Sequence, residues 1–324
     1  MTVLQTKVLN LLEANRGAFI SGESIANAAS VSRTAVMKAV NALKNQGYEI
    51  SSQRRCGYML ENGPDALNET LIHEKLHDLD CDTDVQVYET IGSTNNEGKK
   101  QAHNLEKPLI IVSEQQTMGR GRQGHSFYSP AGSGLYLTIV TPSELPFSTM
   151  ALCTQLMAVA AVRAVKASGG PELRIKWVND LYLGTKKTAG ILTEAVSNLE
   201  TQKAEAVVCG IGLNLTTSVF PDEINGIAGS LGKLDRNILT AEIASRFLKM
   251  AGELPDTSSW LGEYRERSFV IGHPLSFTLN GELLHGIGKE IDDQGRLIVS
   301  LENGSDIVLS SGEVSIIPEL HNGQ

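Results

Sequence analysis

The sequence predicts an α+β protein made of three parts: an N-terminal winged helix-turn-helix, a central mixed α/β domain and a small C-terminal β-barrel. Near the N-terminus, apolar residues recur at helical spacing and are followed by a short alternating hairpin. Several strands then run consecutively instead of alternating with helices, which favours α+β over a doubly wound sheet. From residue 269 onward, hairpin-type turns separate short alternating runs, which is typical of a small barrel.

The composition is that of an ordinary globular protein. Of the 324 residues, 41% are hydrophobic and 20% are charged, which allows a sizeable core and argues against disorder. We expect a cytoplasmic protein with no membrane association, because the N-terminus lacks a signal-peptide pattern and no apolar run approaches the roughly 20 residues that span a bilayer. The four cysteines are isolated, which favours free thiols over disulfides or a zinc site.

Charge is distributed unevenly along the chain. The net charge is -9, yet residues 1–63 carry seven Lys and Arg against four Glu, so the remaining residues are strongly acidic. An acidic body with a small basic head indicates that any contact with nucleic acid lies in the head.

The basic head contains three predicted helices and a hairpin. Ser21 is expected to begin the second helix and Ser32 to cap the third, while Gly17 and Gly47 end the first and third. Two short helices joined by a tight turn form a helix-turn-helix, and a basic hairpin tip within residues 48–60 would form a wing that contacts phosphates. A solvated packing module without DNA contacts is the alternative. The side chains expected to face DNA are Ser32, Arg33, Thr34, Lys38, Arg54 and Arg55.

Turn-forming residues at 62–65 mark the boundary after the head. We therefore predict domains at 1–63, 64–268 and 269–324. The central domain is expected to contain a buried helix over 150–166 and an amphipathic helix over 240–253. Its strands are predicted over 85–88, 109–113, 135–140, 174–177, 181–183, 189–195 and 206–211.

Two motif matches have simpler explanations. His73-Glu74-Lys75-Leu76-His77 fits the HExxH helix of zinc peptidases, but no further ligand follows at the required spacing, so a solvated helix face is favoured and no metal site is predicted. Residues 119–124 fit GxGxxG, but a dinucleotide site requires a helix to begin there. Because the following residues lead into another strand instead, the dinucleotide interpretation fails.

Two segments nonetheless combine residues that suit an anionic ligand. The loop at 119–124 offers glycine backbone and two guanidinium groups, which suit phosphate. Further along, a strand, a polar turn and a hairpin would bring Lys176, Asp180 and Lys187 to one cleft. Lysines there can neutralise a carboxylate or a phosphate, and the Asp can accept a proton or orient them.

Residues 210–215 are expected to form a further turn, in which Asn214 could bind a base or a ribose. Taken together, these segments resemble one family, the biotin protein ligases, and more closely the bifunctional biotin ligase/biotin operon repressors. The resemblance covers nearly the whole chain and implies a class II synthetase-like catalytic domain and an SH3-like C-terminal barrel. It rests on motifs that follow in order: Ser93-Thr94-Asn95, Gln116-Thr117, GRGRQG with Ser129-Pro130, KWVND, KKTAGILTE and GIGLNL.

The resemblance also implies roles for individual residues. Catalytic roles are implied for Arg122, Lys187 and Asp180, the last of which would assist the acceptor lysine. Biotin contacts are implied for Ser93, Thr94, Asn95, Gln116, Arg120, Gly121, Arg122, Lys187 and Gly190. Contacts with ATP or the adenylate are implied for Arg120, Arg122, Phe127, Lys176, Asn179 and Asn214. The family usually has Pro at the position of Val178 and Trp at that of Phe127, and neither departure removes a catalytic group.

The implied reaction has two steps. ATP, with Mg²⁺ shielding its phosphates, converts biotin to biotinyl-5′-adenylate and pyrophosphate. The ε-amine of a lysine on the biotin carboxyl carrier protein of acetyl-CoA carboxylase then attacks the activated carbonyl and releases AMP. The resemblance further implies repression of the biotin operon, with the adenylate as corepressor and a homodimer on operator DNA.

Two other functions stay open at this point. A biotin-sensing transcription regulator without ligase turnover would keep the head and the pocket, although intact Lys187 and Asp180 argue against it. A lipoate or octanoyl ligase of related fold would use similar chemistry, although the winged head and the GRGRQG loop favour biotin. Release of pyrophosphate would distinguish the enzyme from the sensor.

Overall fold

The computed structural model describes residues 2–45, 48–62, 66–103, 105–143, 146, 149–198 and 203–317. The chain divides into two compact units, Met1–Ala66 and Leu67–Gln324. Gly47 and residues 63–65, which we expected to end a helix and to mark a boundary, lie outside the described residues. None of the described helices combines the length and hydrophobicity that crossing a lipid bilayer requires.

The first unit packs three helices against a two-stranded antiparallel hairpin. Apolar residues from all three helices and both strands, among them Leu12, Val36 and Leu60, form one buried cluster. This arrangement agrees with the predicted winged helix-turn-helix. Its elements are α1 (Val3–Glu13), α2 (Gly22–Ala29), α3 (Arg33–Asn45), β1 (Glu49–Gln53) and β2 (Gly57–Asn62).

Serine caps begin the second and third helices as predicted. The Ser21 hydroxyl accepts a hydrogen bond from the Ser24 backbone at 2.9 Å, and the Ser32 hydroxyl accepts one from the Ala35 backbone at 3.2 Å. The first helix ends at Glu13, earlier than the glycine that we expected to end it.

The second unit is built on a seven-stranded sheet. Its strands are β3 (Asp84–Ile91), β4 (Leu109–Gln116), β5 (Gly134–Pro142), β6 (Arg174–Lys176), β7 (Asp180–Leu183), β8 (Lys186–Asn198) and β9 (Lys203–Asn214). They lie in the order β3-β4-β5-β9-β8-β7-β6. β3 and β4 run parallel, and every other neighbouring pair is antiparallel. This predominance of antiparallel pairing confirms the α+β class.

Helices cover both faces of this sheet. They are α4 (Glu69–Asp78), α5 (Thr94–Gln101), α6 (Met150–Ala167), α7 (Asp222–Asn225), α8 (Arg236–Ala251) and α9 (Leu261–Arg267). Alternate residues of a strand point to opposite faces. Accordingly, Ile110 and Val112 belong to the large core with α6 and α8, whereas Leu109 and Ile111 belong to a small cluster beside α5.

The start of α8 differs from the prediction that placed it at residue 240. It begins at Arg236, because the Asp235 carboxylate caps it by accepting hydrogen bonds from the backbones of Asn237 and Ile238 at 2.9 and 3.1 Å. The Arg236 side chain is buried and pairs with Glu114 of β4 at 2.7 Å. This ion pair ties the helix to the central sheet.

The second unit ends in a five-stranded antiparallel sheet. Its strands are β10 (Pro274–Leu279), β11 (Glu282–Ile291), β12 (Leu297–Leu301), β13 (Asp306–Leu309) and β14 (Val314–Ile316). They lie in the order β13-β12-β11-β10-β14. The alternating runs therefore form strands as predicted, whereas closure of this sheet into an SH3-like barrel stays a prediction.

Candidate functional site

A polar pocket of about 240 Å³ opens beside α5 in the second unit. Small residues on the sheet leave room for it, since Gly190 of β8 pairs directly with Gly212 of β9 and Gly210 lies two residues away on the same face. Most of the residues predicted to bind biotin or ATP or to act in catalysis converge on this pocket. They are Ser93, Thr94, Asn95, Gln116, Arg120, Gly121, Arg122, Phe127, Lys176, Asn179, Asp180, Lys187 and Gly190.

Hydrogen bonds hold the amide side chains at the N-terminus of α5 and the end of β4. The Gln116 side-chain oxygen accepts from the Thr94 backbone at 2.9 Å, while its amide nitrogen donates to Ser129 Oγ at 2.9 Å. The Asn95 amide nitrogen donates to the Leu192 carbonyl and to Glu194 Oε2, both at 3.0 Å. These two amides are therefore fixed in orientation before any ligand binds.

Two glycines of β9, Gly210 and Gly212, leave space for side chains at the pocket. A Cβ at Gly210 would lie 1.8 Å from Asn95 Oδ1, and one at Gly212 would lie 2.3 Å from Phe127 Cε1. Asn95 and Phe127 each lie so close to the backbone of β9 that the strand position beside each of them must be glycine.

The prediction of a turn at residues 210–215 is wrong. Residues 210–214 belong to β9, in which residues 210–213 pair with both β5 and β8 and Asn214 pairs with β5. These residues are therefore part of the sheet. Asn214, expected on the nucleotide side, is buried, and its amide nitrogen donates to the Gly229 carbonyl at 3.2 Å. It is not among the described residues that line the pocket.

The arginines of the 119–124 loop contact two different walls of the pocket. Arg120 donates to Asn96 Oδ1 of α5 at 2.8 Å and pairs with Glu194 of β8 at 3.3 Å. Arg122 donates to Asn179 Oδ1 at 3.2 Å and to the Gly312 carbonyl at 3.1 Å. These contacts connect the loop to both walls of the pocket.

A group of charged residues lies at the end of the pocket formed by the β6–β7 turn and the start of β8. Lys187 Nζ lies 2.7 Å from Asp180 Oδ1. Burial lowers the pKa of Lys176, and the neighbouring charge of Lys187 acts in the same direction, against Asp180 and Glu313. Two lysines and the Arg122 guanidinium in one pocket favour an anionic ligand such as a phosphate or a carboxylate.

Several contributions to the site were absent from the sequence prediction. The segment that leads into β14 supplies Gly312, Glu313 and Val314, which no local motif distinguishes. Among the others that line the pocket are Tyr182 and Ile227. Glu194 lies behind the pocket and contacts both Asn95 and Arg120. The alternation of β8 from Gly190 could have indicated that Glu194 shares the pocket face.

The first unit carries a second candidate surface. All six side chains predicted to face DNA are exposed. Arg33 of α3 and the hairpin residues Arg54 and Arg55 line one shallow groove. Arg33 also forms an exposed ion pair with Glu23 of α2, so an acidic group lies within this basic surface.

Comparison with known proteins assigns a family to each part of the chain. Residues 87–214 match the model of the biotin/lipoate A/B protein ligase family, residues 4–59 an HTH domain, and residues 270–316 the biotin protein ligase C-terminal domain. The bifunctional ligase/repressor BirA of Bacillus spizizenii is 31% identical over alignments covering 96% of this chain and 98% of that protein. The biotin--[acetyl-CoA-carboxylase] ligase of Mycobacterium tuberculosis is 31% identical, over 64% of this chain and 78% of its own length.

A solved structure supports the fold of the second unit. The biotin protein ligase from Aquifex aeolicus, in complex with biotin and ATP, aligns with a TM-score of 0.61 and 22% identity. The alignment covers 72% of this chain and 98% of that chain, so nearly all of the smaller protein has a counterpart here.

Proposed function

Because the chain belongs to the family of bifunctional biotin ligase/repressors, we propose that it activates biotin with ATP, transfers it to a carrier-protein lysine, and represses transcription by binding DNA. The observation that carries this proposal is the polar pocket, in which hydrogen-bonded amides, the glycine loop and two lysines converge. The same chain carries an exposed basic surface on a helix-turn-helix unit. We keep the division at 1–63, 64–268 and 269–324 as the proposed domain limits.

We place biotin beside the N-terminus of α5. Thr94, Asn95 and Gln116 offer donors and acceptors that their own hydrogen bonds already orient. A polar ring system binds well to groups that are fixed in advance, since less entropy is lost on binding. The biotin carboxylate would extend towards Arg122 and Lys187, which carry opposing positive charge.

In the first step, an oxygen of the biotin carboxylate attacks the α-phosphorus of ATP and the bond to pyrophosphate breaks. Charge develops on the α-phosphate in the transition state, and Arg120, Arg122 and Lys187 would stabilise it electrostatically. The protein forms no covalent bond in this step. The loop, connected to both walls of the pocket, would exclude water that hydrolyses the mixed anhydride.

In the second step, the ε-amine of the acceptor lysine attacks the carbonyl of the adenylate, and the carbon–oxygen bond to AMP breaks. Asp180 lines the pocket as a carboxylate paired with Lys187. We propose that it orients the incoming amine and receives its proton. The acceptor is a lysine on a biotin carboxyl carrier protein, in this proposal that of acetyl-CoA carboxylase.

Mg²⁺ is proposed to enter with ATP. This ion is usually held by one or two carboxylates together with substrate phosphates. The pocket fits such binding, because Asp180 and Glu313 both line it. When bound, Mg²⁺ shields the phosphate charges.

Repression is assigned to the first unit. Arg33 and Lys38 of α3 would enter the major groove, while Arg54 and Arg55 contact backbone phosphates. We propose that the adenylate promotes homodimer formation, because an operator with two half-sites needs two heads. A cytoplasmic location stays a prediction.

The alternative functions predict different products on the carrier domain. A biotin sensor without turnover would release no pyrophosphate and leave the carrier domain unmodified. A lipoate or octanoyl ligase would attach another acid. We would incubate the protein with Mg-ATP, a carrier domain and each acid in turn, and then measure the mass of the carrier domain. A biotin-sized gain on one lysine supports the ligase. No gain with biotin, from protein shown to be folded, would contradict it.

A further inference from the structure

We propose that Glu194 of β8 is a positioning residue for biotin activation, which holds the Asn95 amide and the Arg120 guanidinium in place together. This inference rests on the proposed function, because Asn95 and Arg120 are placed there beside the substrates. Glu194 itself does not line the pocket, so it acts through these two side chains.

The contacts of Glu194 divide between the pocket and its exterior. Its Oε2 accepts from Asn95 at 3.0 Å, and its Oε1 lies 3.3 Å from Arg120. The same Oε1 accepts from Lys99 of α5 at 2.8 Å. A single carboxylate therefore connects the biotin-side amide, the glycine loop and a lysine outside the pocket.

The surroundings of Glu194 favour its charged form. Its side chain is 19% exposed, and burial by itself raises the pKa of Glu194. Hydrogen bonds from Lys99 and Asn95, with the positive charges of Lys99 and Arg120, outweigh this and hold the pKa below its usual value. The carboxylate is thus ionised throughout the neutral pH range and can hold the Arg120 guanidinium.

The side-chain oxygen of Asn95 is held independently of Glu194. Thr138 Oγ1 lies 2.8 Å from Asn95 Oδ1, and the strand at Gly210 leaves space for no additional atom there. Loss of the Glu194 charge therefore loosens the amide nitrogen end of Asn95 and not its oxygen end. On the loop, the Arg120 side chain would keep its hydrogen bond to Asn96 as its remaining described hydrogen bond, while its backbone stays bridged to Ser126.

The test compares initial rates of pyrophosphate release for the wild type and Glu194→Gln in the full chain. We expect about a tenfold increase in KM for biotin, equivalent to about 1.4 kcal/mol, because Asn95 loses its partner. We also expect a severalfold decrease in kcat, because Arg120 is proposed to stabilise charge on the α-phosphate. Trypsin should also cleave the unliganded variant after Arg120 severalfold faster. Glu97→Gln is the matched control. Glu97 lies on α5, is also ion-paired and does not line the pocket, so the variant removes a comparable charge away from the site.

A second variant separates positioning from a merely structural ion pair. Lys99→Met removes the partner outside the pocket and leaves the contacts with Asn95 and Arg120, so its KM for biotin should stay near that of the wild type. An equal increase in both variants would overturn the proposal. If Glu194→Gln fails to fold, Glu194→Asp carries the test, since the shorter side chain cannot reach both partners and a severalfold increase is still expected.

The outcomes distinguish this inference from the function on which it rests. If the wild type releases no pyrophosphate with biotin, the proposed function fails. If the wild type is active while folded Glu194→Gln keeps the wild-type KM and cleavage rate, only the positioning role is refuted.

Discussion

Replacement of Gly210 by Ala adds one methyl group at the point where strand β9 approaches Asn95. The new Cβ would lie 1.8 Å from Asn95 Oδ1, far inside the 3.4 Å at which ordinary contact begins. Asn95 cannot turn away freely, because its amide nitrogen donates to the Leu192 carbonyl and to Glu194. The backbone of β9 is equally constrained, since β5 and β8 flank it.

The magnitude follows from these constraints. Forcing an extra methyl group into a packed site typically costs about 1–3 kcal/mol of stability. Displacement of the Asn95 side chain would break three hydrogen bonds, to Leu192, Glu194 and Thr138. Each contributes roughly 0.5–1.5 kcal/mol, or more where the acceptor is charged. We therefore expect folded Gly210→Ala to bind biotin at least about tenfold more weakly, which corresponds to 1.4 kcal/mol.

Isothermal titration of biotin into each protein measures this effect. Gly262→Ala of α9 is the matched control, because its added Cβ meets no atom within 4 Å. The control should bind biotin as the wild type does. A folded Gly210→Ala protein with an unchanged dissociation constant would refute the proposed role of Asn95 in the biotin site.

Three further predictions follow from the same structure. Arg122→Ala should slow pyrophosphate release by about 10²-fold or more, because it removes a donor that stabilises charge in the transition state. A wild-type rate would show that Arg122 has no catalytic role. Replacing Arg54 and Arg55 by Ala should weaken operator binding and leave ligation intact. In a gel-shift series at increasing salt, the steepness of log K against log salt should fall by about two. An unchanged slope would contradict phosphate contact by the hairpin. Arg236→Met should destabilise the second unit by about 3–5 kcal/mol, because it leaves the Glu114 carboxylate without its buried partner. Denaturant unfolding followed by tryptophan fluorescence reports on this unit, and a loss below about 1 kcal/mol would show that solvent compensates the carboxylate.

Much of the site could be predicted because its residues lie in short motifs. The Ser93-Thr94-Asn95 segment, the glycine loop and the residues around Asp180 all reach one pocket, as their residue types suggested. The motif at 210–215 was wrongly predicted as a turn, because a short glycine-rich segment has the same local pattern in a turn and in a strand. Only the pairing of β9 with its neighbours shows that Gly210 lies in a strand, where the absence of a side chain makes room for Asn95.

The sequence by itself determined the class of the fold, the serine caps of the second and third helices, and the chemical types collected in the motifs. These depend on local periodicity, on hydrogen bonds between near neighbours and on the intrinsic chemistry of side chains. The tertiary structure decided which distant groups meet: Glu194 with Arg120, and Gly312 with Arg122. Such contacts are set by strand order and by the packing of elements far apart along the chain, so no local pattern in the residues between them specifies the partner.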